Sequence, residues 1–240
     1  MYKNHRIILI APAYNEEVKI KEVVRRARAG VADKILVVDD GSTDGTVAAA
    51  AGAGASVLSV GSVQGVGAAI RRGYEVAQQG QFDIAVVIAG NNKDCPEEIP
   101  QLLDPICDQG FDFVMGSRYL RGGQHGGDMP VYRKAATRLH PWLVSLVCGK
   151  KISESTNGFR AMKVSVLSDP RLNLNQEWLK AYELEVYLLI KLLQLGYKTT
   201  EVPCTKIYPP HKIGNTKMRP FWDWWKMLRP IFLLALGIKK

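Results

Sequence analysis

Three polar segments follow hydrophobic runs of the chain, and each carries side chains that could bind a ligand. They are residues 11–17 (APAYNEE), 37–46 (VVDDGSTDGT) and 89–94 (AGNNKD). Helix capping explains one polar residue at such a turn. It does not explain Asp39 and Asp40, because two adjacent carboxylates repel each other unless a ligand or hydrogen-bond donors occupy the site. We therefore expect a binding site at these turns.

The elements that must position these turns alternate between strands and helices. Apolar runs and amphipathic periods predict strands at 6–13, 34–38, 55–60 and 82–88, and helices at 15–28, from about 43, and at 66–78. Four strand–helix units in succession favour a single α/β domain with a mostly parallel, Rossmann-like sheet and helices on both faces. Nucleotide-type ligands bind such sheets at the carboxyl ends of the strands.

The alternation loosens after residues 112–119. The later features are a glycine-rich mobile loop at 121–128, helices at 131–148 and 182–195, a strand at 198–208, a basic loop at 209–219 and a C-terminal amphipathic helix from about Phe221. The helix at 182–195 is apolar nearly all round, so we expect it to be buried. Pro230 should kink or break the last helix.

Composition and charge exclude several classes of protein. The chain has 240 residues, 47% of them hydrophobic and 23% charged, which excludes disordered and fibrous proteins. The apolar runs are too short to span a bilayer, and no signal peptide precedes the first strand, so we expect a cytoplasmic location. The four cysteines are scattered without metal-binding spacing.

The net charge of +9 is concentrated at the end of the chain, where the last 36 residues carry +7. Phe221, Trp222, Trp224, Trp225 and Phe232 accompany these charges. This composition is typical of a helix at a membrane interface rather than of a segment that binds nucleic acid, so we expect no nucleic-acid partner.

Several common catalytic motifs are absent from the sequence. Gly65-Val66-Gly67 follows a predicted strand, but Ile70 stands where a dinucleotide fingerprint needs a small residue. The sequence contains no GxxxxGK[ST] phosphate loop, no GxSxG turn and no HExxH helix. These absences argue against a dehydrogenase, a P-loop enzyme and a hydrolase of those types.

The motifs that are present resemble those of the family 2 glycosyltransferases, which have the GT-A fold. The resemblance is strongest to the polyprenyl-phosphate branch, which includes enzymes similar to dolichyl-phosphate mannose synthase. The segments that carry it occur in the family's order: 11–17, 37–46, 65–77 (GVGAAIRRGYEVA), 96–100 (PEEIP), 116–123 (GSRYLRGG), 155–162 (STNGFRAM) and 201–203 (EVP).

This resemblance implies a nucleotide-diphosphate sugar as the donor. It assigns the following residues to the donor site: Pro12, Tyr14, Glu16, Asp39, Asp40, Gly67, Asn91 and Lys93. An acid of the Asp39-Asp40 pair would contact the base.

The sequence departs from the family where a divalent cation is expected. The family carries Asp-x-Asp after the fourth strand, and this branch has Gln two residues later; here those positions are Ala89, Asn91 and Lys93. Asn91 alone is a poor ligand for Mg²⁺ or Mn²⁺. Three alternatives remain at this stage: Asp94 or Asp39 recruits the metal, Lys93 supplies the positive charge itself, or catalysis has been lost.

The acceptor site lacks the acid that would activate a hydroxyl. Residues 155–158 contain no carboxylate, although Glu154 precedes them. A phosphate monoester needs no general base, because it is already an anionic nucleophile, but it does need cations. The matching loops offer a set of basic residues: Arg118, Arg133, His211, Lys212 and Lys217. In relatives the last loop reads Arg-x-x-Gly-x-Ser-Lys, so His211 replaces an arginine while Lys217 is kept.

These observations predict an inverting glycosyltransferase that acts on an isoprenoid-phosphate carrier at the inner face of the membrane. The alternatives are transfer to a hydroxyl of a glycolipid or glycan, and an inert protein that binds sugar nucleotides. We expect a GT-A domain at 1–218 and an amphipathic helix at 219–240 that contacts the membrane or a second copy of the chain.

Overall fold

A seven-stranded sheet lies at the centre of the computed structural model, which describes residues 1–28, 31–209 and 222–239. The strand order is β3-β2-β1-β4-β7-β5-β8, and a separate two-stranded sheet pairs β6 with β9. The strands are β1 (Ile7–Ala13), β2 (Lys34–Asp39), β3 (Ser56–Ser59), β4 (Ile84–Val87), β5 (Phe113–Ser117), β6 (Gln124–Gly127), β7 (Arg160–Lys163), β8 (Thr199–Pro203) and β9 (Thr205–Tyr208). The α-helices are α1 (Glu17–Arg28), α2 (Thr46–Gly52), α3 (Val66–Gln79), α4 (Ile99–Gln109), α5 (Val131–Cys148), α6 (Glu183–Gln194) and α7 (Trp222–Ala235).

Strand β1 is buried on both faces, because helices cover both sides of the sheet. Ile8 and Ile10 contribute to a core shared with α3, α6 and α7. Ile7 and Leu9 point the other way, into a core shared with α1 and α4. A strand covered on both faces has no polar side to present, which explains its continuous apolar sequence.

The three polar turns lie at one edge of the sheet, as the sequence predicts. Strands β1, β2 and β4 are parallel, and Ala13 is in register with Asp39. Beyond the strands, Asp40 N–H donates to the carbonyl of Ala13 at 2.8 Å, and Gly90 N–H donates to that of Pro12 at 3.1 Å. The segments after the three strands are therefore hydrogen-bonded side by side.

The strands in the second half of the chain differ from the sequence prediction in three places. Strand β7 was not predicted; it lies antiparallel between β4 and β5. The strand predicted at 198–208 is two strands, because the chain pairs with β5 up to Pro203 and with β6 from Thr205 onward. The glycine-rich segment 121–128 was predicted to be a mobile loop, but Gln124–Gly127 forms β6 and pairs with β9.

Helix α7 continues through Pro230, so the predicted break at this residue is wrong. The large apolar side chains of this helix lie on two faces rather than on one. Trp224 and Leu228 pack against the core, whereas Trp225 and Phe232 are exposed and stack on each other at 6.5 Å between ring centroids. Phe221 lies outside the described residues. Within those residues, no helix combines the length and apolar character needed to cross a bilayer.

Candidate functional site

A cavity of about 450 Å³ opens at the carboxyl ends of β1, β2 and β4. Its lining includes side chains from all three predicted turns: Pro12, Tyr14, Glu16, Asp40, Asn91 and Lys93. Helices α5, α6 and α7 close the opposite side with Thr137, Glu185 and Trp224. The structure therefore brings together most of the residues that the sequence assigned to the donor site.

Asp40 lines this cavity, whereas Asp39 does not. The carboxylate of Asp40 accepts hydrogen bonds from the backbone N–H groups of Gln64 and Gly65, at 2.8 and 2.9 Å. Burial nevertheless raises the pKa of Asp40 above its usual value. Since a carboxylate has about four lone-pair positions, Asp40 can still accept from a ligand.

The Asp39 carboxylate is occupied within the fold. It accepts the N–H of Ser42 at 3.1 Å and the hydroxyl of Ser59 at 3.0 Å, and the residue is only 2% exposed. These donors satisfy the carboxylate and fix the turn after β2. The assignment of Asp39 to the donor site is therefore corrected to a role in shaping the loop that presents Asp40.

The glycines at the start of α3 are needed for packing against the segment before α6. Gly65 has a φ of +106°, and a Cβ there would lie 2.5 Å from the carbonyl oxygen of Lys180. A Cβ on Gly67 would lie 2.4 Å from the carbonyl oxygen of Ala181. Gly67 is buried and is absent from the cavity lining, so its assignment to the donor site is corrected to close packing.

Lys93 extends from the turn after β4 into the cavity, where it is 7% exposed. Its ammonium lies 4.9 Å from the centre of the Tyr208 ring. Burial, with the nearby charges of Arg133 and Lys206, lowers the pKa of Lys93 to about 7. A bound anion would reverse this shift, because it would favour the charged form.

Asp94 is not available as a metal ligand. Its Oδ1 accepts a hydrogen bond of 2.6 Å from the ammonium of Lys206, and the Asp94 side chain is fully buried outside the cavity lining. Its Oδ2 has no hydrogen-bond partner among the described residues, but a dication at that atom would be repelled by Lys206.

Asn91 Oδ1 accepts the N–H of Lys93 at 3.2 Å, and as a neutral oxygen it is a weak ligand for a divalent cation. The part of the chain that the structure describes contains no group of three acidic, His or Cys side chains arranged to hold a metal ion. The donor set at Ala89, Asn91 and Lys93 therefore does not fit the divalent cation that the family resemblance implies. The ion pair with Lys206 argues against the alternative in which Asp94 recruits this cation.

Arg118 was expected to contact an acceptor phosphate, but the fold uses its guanidinium internally. Nε donates to Glu154 at 2.6 Å, Nη1 donates to the hydroxyl of Tyr208 at 3.0 Å, and Nη2 donates to the hydroxyl of Thr156 at 3.0 Å. The residue is 3% exposed and lies outside the cavity lining. Arg118 is therefore a positioning residue that orients Thr156 and Tyr208.

Glu154 is held as a carboxylate by the same network. Burial opposes its ionisation, but the charge of Arg118 and the hydrogen bonds from Thr156 keep the pKa of Glu154 below its usual value. An ionised carboxylate in a buried ion pair cannot reach an acceptor hydroxyl in the cavity. Glu154 is therefore not placed to act as a general base.

Arg133 is the expected acceptor cation that the structure does place at the cavity. It extends from α5, and its guanidinium carbon lies 5.4 Å from the centre of the Tyr208 ring. Arg133 and Lys93 thus lie near the same aromatic ring, which a cation–π attraction would favour. The other three expected basic residues, His211, Lys212 and Lys217, lie outside the described residues.

Sequence reasoning missed several residues of the lining: Lys19, Thr137, Glu185, Lys206 and Asp223. One signal was visible, since Glu183 and Glu185 are acids in an otherwise apolar helix that was expected to be buried. Glu183 pairs with Arg229 at 2.6 Å, while Glu185 faces the cavity. The positions of the other missed residues depend on tertiary packing.

Comparisons with known proteins point to one family. The model of the family described as glycosyl transferase family 2 matches residues 8–169. The chain is 30% identical over 220 residues to the polyprenol monophosphomannose synthase of Mycolicibacterium smegmatis, which covers 89% of this chain and 81% of that protein. It is 32% identical over 219 residues to the dolichyl-phosphate hexose transferase of Haloferax volcanii, which covers 90% of this chain and 87% of that protein.

A crystal structure of the glucosyl-3-phosphoglycerate synthase of Mycobacterium tuberculosis has a TM-score of 0.71 against this chain. The match covers 99% of this chain and 82% of that chain at 23% sequence identity. At this identity the likeness concerns the fold alone, and it confirms the α/β fold that the sequence predicts.

Proposed function

This chain belongs to glycosyl transferase family 2 and has the GT-A fold, and we propose that it transfers a sugar from a nucleotide-diphosphate sugar to the phosphate of a polyprenyl-phosphate carrier. The proposal includes inversion at the anomeric carbon and a site of action at the cytoplasmic face of the membrane. Two relatives named for polyprenol and dolichyl-phosphate transferase activities support the class of acceptor.

The observation that carries this proposal is the combination of a carboxylate and several cations in one cavity. Asp40 lies at the base-binding end that the family resemblance implies, and Lys93, Arg133 and Lys206 line the same cavity. A donor diphosphate and an acceptor phosphate are both anionic, so they require such a concentration of positive charge.

The proposed reaction needs no general base. An oxygen of the acceptor phosphate attacks the anomeric carbon of the sugar from the face opposite the leaving group. The bond between that carbon and the diphosphate oxygen breaks, and the nucleoside diphosphate leaves with the electron pair. The product is a sugar phosphodiester of inverted configuration. Glu154, the acid nearest the acceptor segment in sequence, is engaged by Arg118, which favours this route over attack by a hydroxyl.

Each side chain at the cavity then has a distinct part in the proposal. Asp40 accepts a hydrogen bond from the base, and Tyr14 and Pro12 line the donor end. Arg133 neutralises the acceptor phosphate. His211 and Lys217 are assigned to the same phosphate from the sequence alone.

Exposed apolar side chains on α5 and α7 support a position at a membrane surface. On α5, Leu139, Trp142 and Leu146 are exposed at spacings of three and four residues, which places them on one face. On α7, Trp225 and Phe232 are exposed seven residues apart, again on one face. The two helices contact each other and both line the cavity. Insertion of these residues among lipid headgroups would bring the cavity close to the phosphate of a lipid carrier.

The test is a donor-turnover assay on the full chain with a panel of UDP-sugars and GDP-sugars. Polyprenyl phosphate and the matching polyprenol are compared as acceptors in the same detergent. We expect release of nucleoside diphosphate with the phosphate alone. Equal turnover with the polyprenol would favour the hydroxyl acceptor, and the absence of turnover with any donor would contradict the proposal.

A further inference from the structure

We propose that the ammonium of Lys93 binds the diphosphate of the donor in place of a divalent cation, so that donor binding requires no metal. This inference rests on the proposed function, because it assumes that the cavity takes a nucleotide diphosphate. It concerns which group of this chain neutralises that diphosphate.

The first argument is the loss of every metal ligand at the turn after β4. Ala89 has no donor atom, and the side-chain oxygen of Asn91 already accepts the backbone N–H of Lys93. The nearest acid in sequence, Asp94, is engaged by Lys206. Hard cations such as Mg²⁺ require anionic oxygen ligands, and this turn presents none of them to the cavity.

The second argument is that the fold holds Lys93 rigidly at the cavity. The carbonyl of Lys93 accepts the N–H of Ile207 at 2.8 Å, and Asp94 forms a backbone bridge with Lys206. Strand β9 therefore holds the backbone of Lys93 in place through hydrogen bonds. Because the backbone is held and the side chain is already buried, contact with a ligand costs Lys93 little further conformational entropy.

The third argument is the electrostatic state of Lys93. Two other lysines of the lining have carboxylate partners, Lys206 with Asp94 and Lys19 with Glu16. Among the described ion pairs, none includes Lys93; its ammonium lies over the Tyr208 ring instead. A buried ammonium without a carboxylate is costly to the fold, and such positions are characteristic of binding sites. An anionic ligand would remove this cost.

The experiment is isothermal titration calorimetry of the full chain with UDP, GDP and inorganic pyrophosphate, each in EDTA and again in MgCl2. Lys93→Met removes the charge and keeps the length of the side chain, and Lys93→Arg keeps the charge. Lys21→Met is the matched control, because Lys21 is an exposed residue of α1 outside the cavity lining. Thermal melting of each variant verifies that it is folded.

We expect UDP or GDP to bind as tightly in EDTA as in MgCl2. Loss of the charged contact in Lys93→Met should weaken this binding by about ten- to a hundredfold. Lys93→Arg should retain part of the affinity, and Lys21→Met should retain all of it. The comparison of EDTA with MgCl2 uses the unmodified chain, so it stays decisive even where a variant fails to fold.

Binding that appears only with Mg²⁺, or that Lys93→Met leaves unchanged, would overturn the inference. If pyrophosphate binds in EDTA through Lys93 but neither nucleotide binds, the anion site stands and the donor assigned under the proposed function is wrong. If none of the three binds under either condition, both proposals are overturned.

Discussion

The ammonium of Lys206 donates a hydrogen bond of 2.6 Å to the carboxylate of Asp94, and both side chains are buried. Lys206 also donates to Asn157 Oδ1 at 2.8 Å. This pair joins the turn after β4 to strand β9, two segments that are 112 residues apart in the sequence. Because the carboxylate of Asp94 is engaged in this pair, it is not free to bind the metal ion for which the sequence made it a candidate ligand.

Replacing Arg118 should damage the fold rather than the affinity for an acceptor. Arg118→Ala leaves the fully buried Glu154 carboxylate without its partner, and breaking a buried ion pair in this way costs about 3–5 kcal/mol. Urea denaturation followed by circular dichroism measures this loss. The control is Arg72→Ala, which removes an exposed ion pair with Glu75 and should cost less than about 1 kcal/mol. Equal stabilities of the two variants would contradict the structural role of Arg118.

Asp40→Asn should weaken nucleotide binding while the chain remains folded. The amide oxygen can still accept one of the backbone N–H groups that the carboxylate holds, but it carries no charge. Loss of a charge-assisted hydrogen bond to the base should lower the affinity for a nucleoside diphosphate by about tenfold or more. Calorimetry measures this change.

The matched control for Asp40 is Asp39→Asn. Asp39 is buried next to it but lies outside the cavity lining, so its variant should lose stability and keep its affinity. If Asp39→Asn lowered the affinity more than Asp40→Asn, the assignment of the base contact to Asp40 would be wrong.

Binding of a nucleoside diphosphate in EDTA should weaken as the pH rises above 7. Burial, with Arg133 and Lys206 nearby, lowers the pKa of Lys93 to about 7 in the empty cavity, and a bound anion raises it again. Between these two pKa values, binding takes up a proton, which costs up to about 1.4 kcal/mol for each pH unit. Below pH 7 Lys93 is already charged and adds no pH dependence.

Calorimetry at pH 7, 8 and 9 measures this effect, because the terminal phosphate itself titrates lower, near a pKa of about 6. Lys93→Met should bind weakly and show a flat profile over this range. A slope that persists in Lys93→Met would assign the titration to another group.

The purified chain should sediment with anionic liposomes, and binding should weaken as salt increases. Each basic residue near an anionic surface contributes roughly 1 kcal/mol, and salt screens this attraction. The double variant Trp225→Asp and Phe232→Asp should release the protein, because it places charges on the exposed face of α7. Val18→Asp changes an even more exposed apolar residue, on α1, and should bind as before. If sedimentation depended neither on lipid charge nor on the α7 substitutions, the exposed face of α7 would be excluded as the membrane-binding surface.

Much of the fold could be predicted from the sequence because its strands have strong local signals. The run that forms β1 is apolar throughout, and the polar turns after β1, β2 and β4 mark the edge where the cavity lies. The short strand β7 gave no such signal. It has only four residues, and most of them belong to the motif at 155–162, which was interpreted as part of the acceptor site. Strand β9 was merged with β8 because the sequence does not show that the chain changes its pairing partner, from β5 to β6, between Pro203 and Thr205.

The sequence predicted the positions of site residues well where they lie in turns after strands. It predicted their roles poorly where a buried partner, distant in the sequence, determines what the side chain does. Asp40 and Lys93 line the cavity as predicted, because each lies in the turn that follows a strand of the parallel sheet. Arg118 has the residue type of a phosphate ligand, but a sequence does not disclose that Glu154 folds against it. Lys206 was missed for the same reason, since its partner Asp94 lies far away in the chain.

The most direct test of sugar transfer to a carrier phosphate follows the phosphorus atom of the acceptor. Purified protein is mixed with a polyprenyl phosphate in detergent and with the donor that turns over, and ³¹P NMR is recorded with time. We expect the phosphomonoester signal to be replaced by a phosphodiester signal, with one nucleoside diphosphate released for each diester formed. A phosphomonoester signal that stays unchanged while the donor sugar moves to a hydroxyl would contradict it.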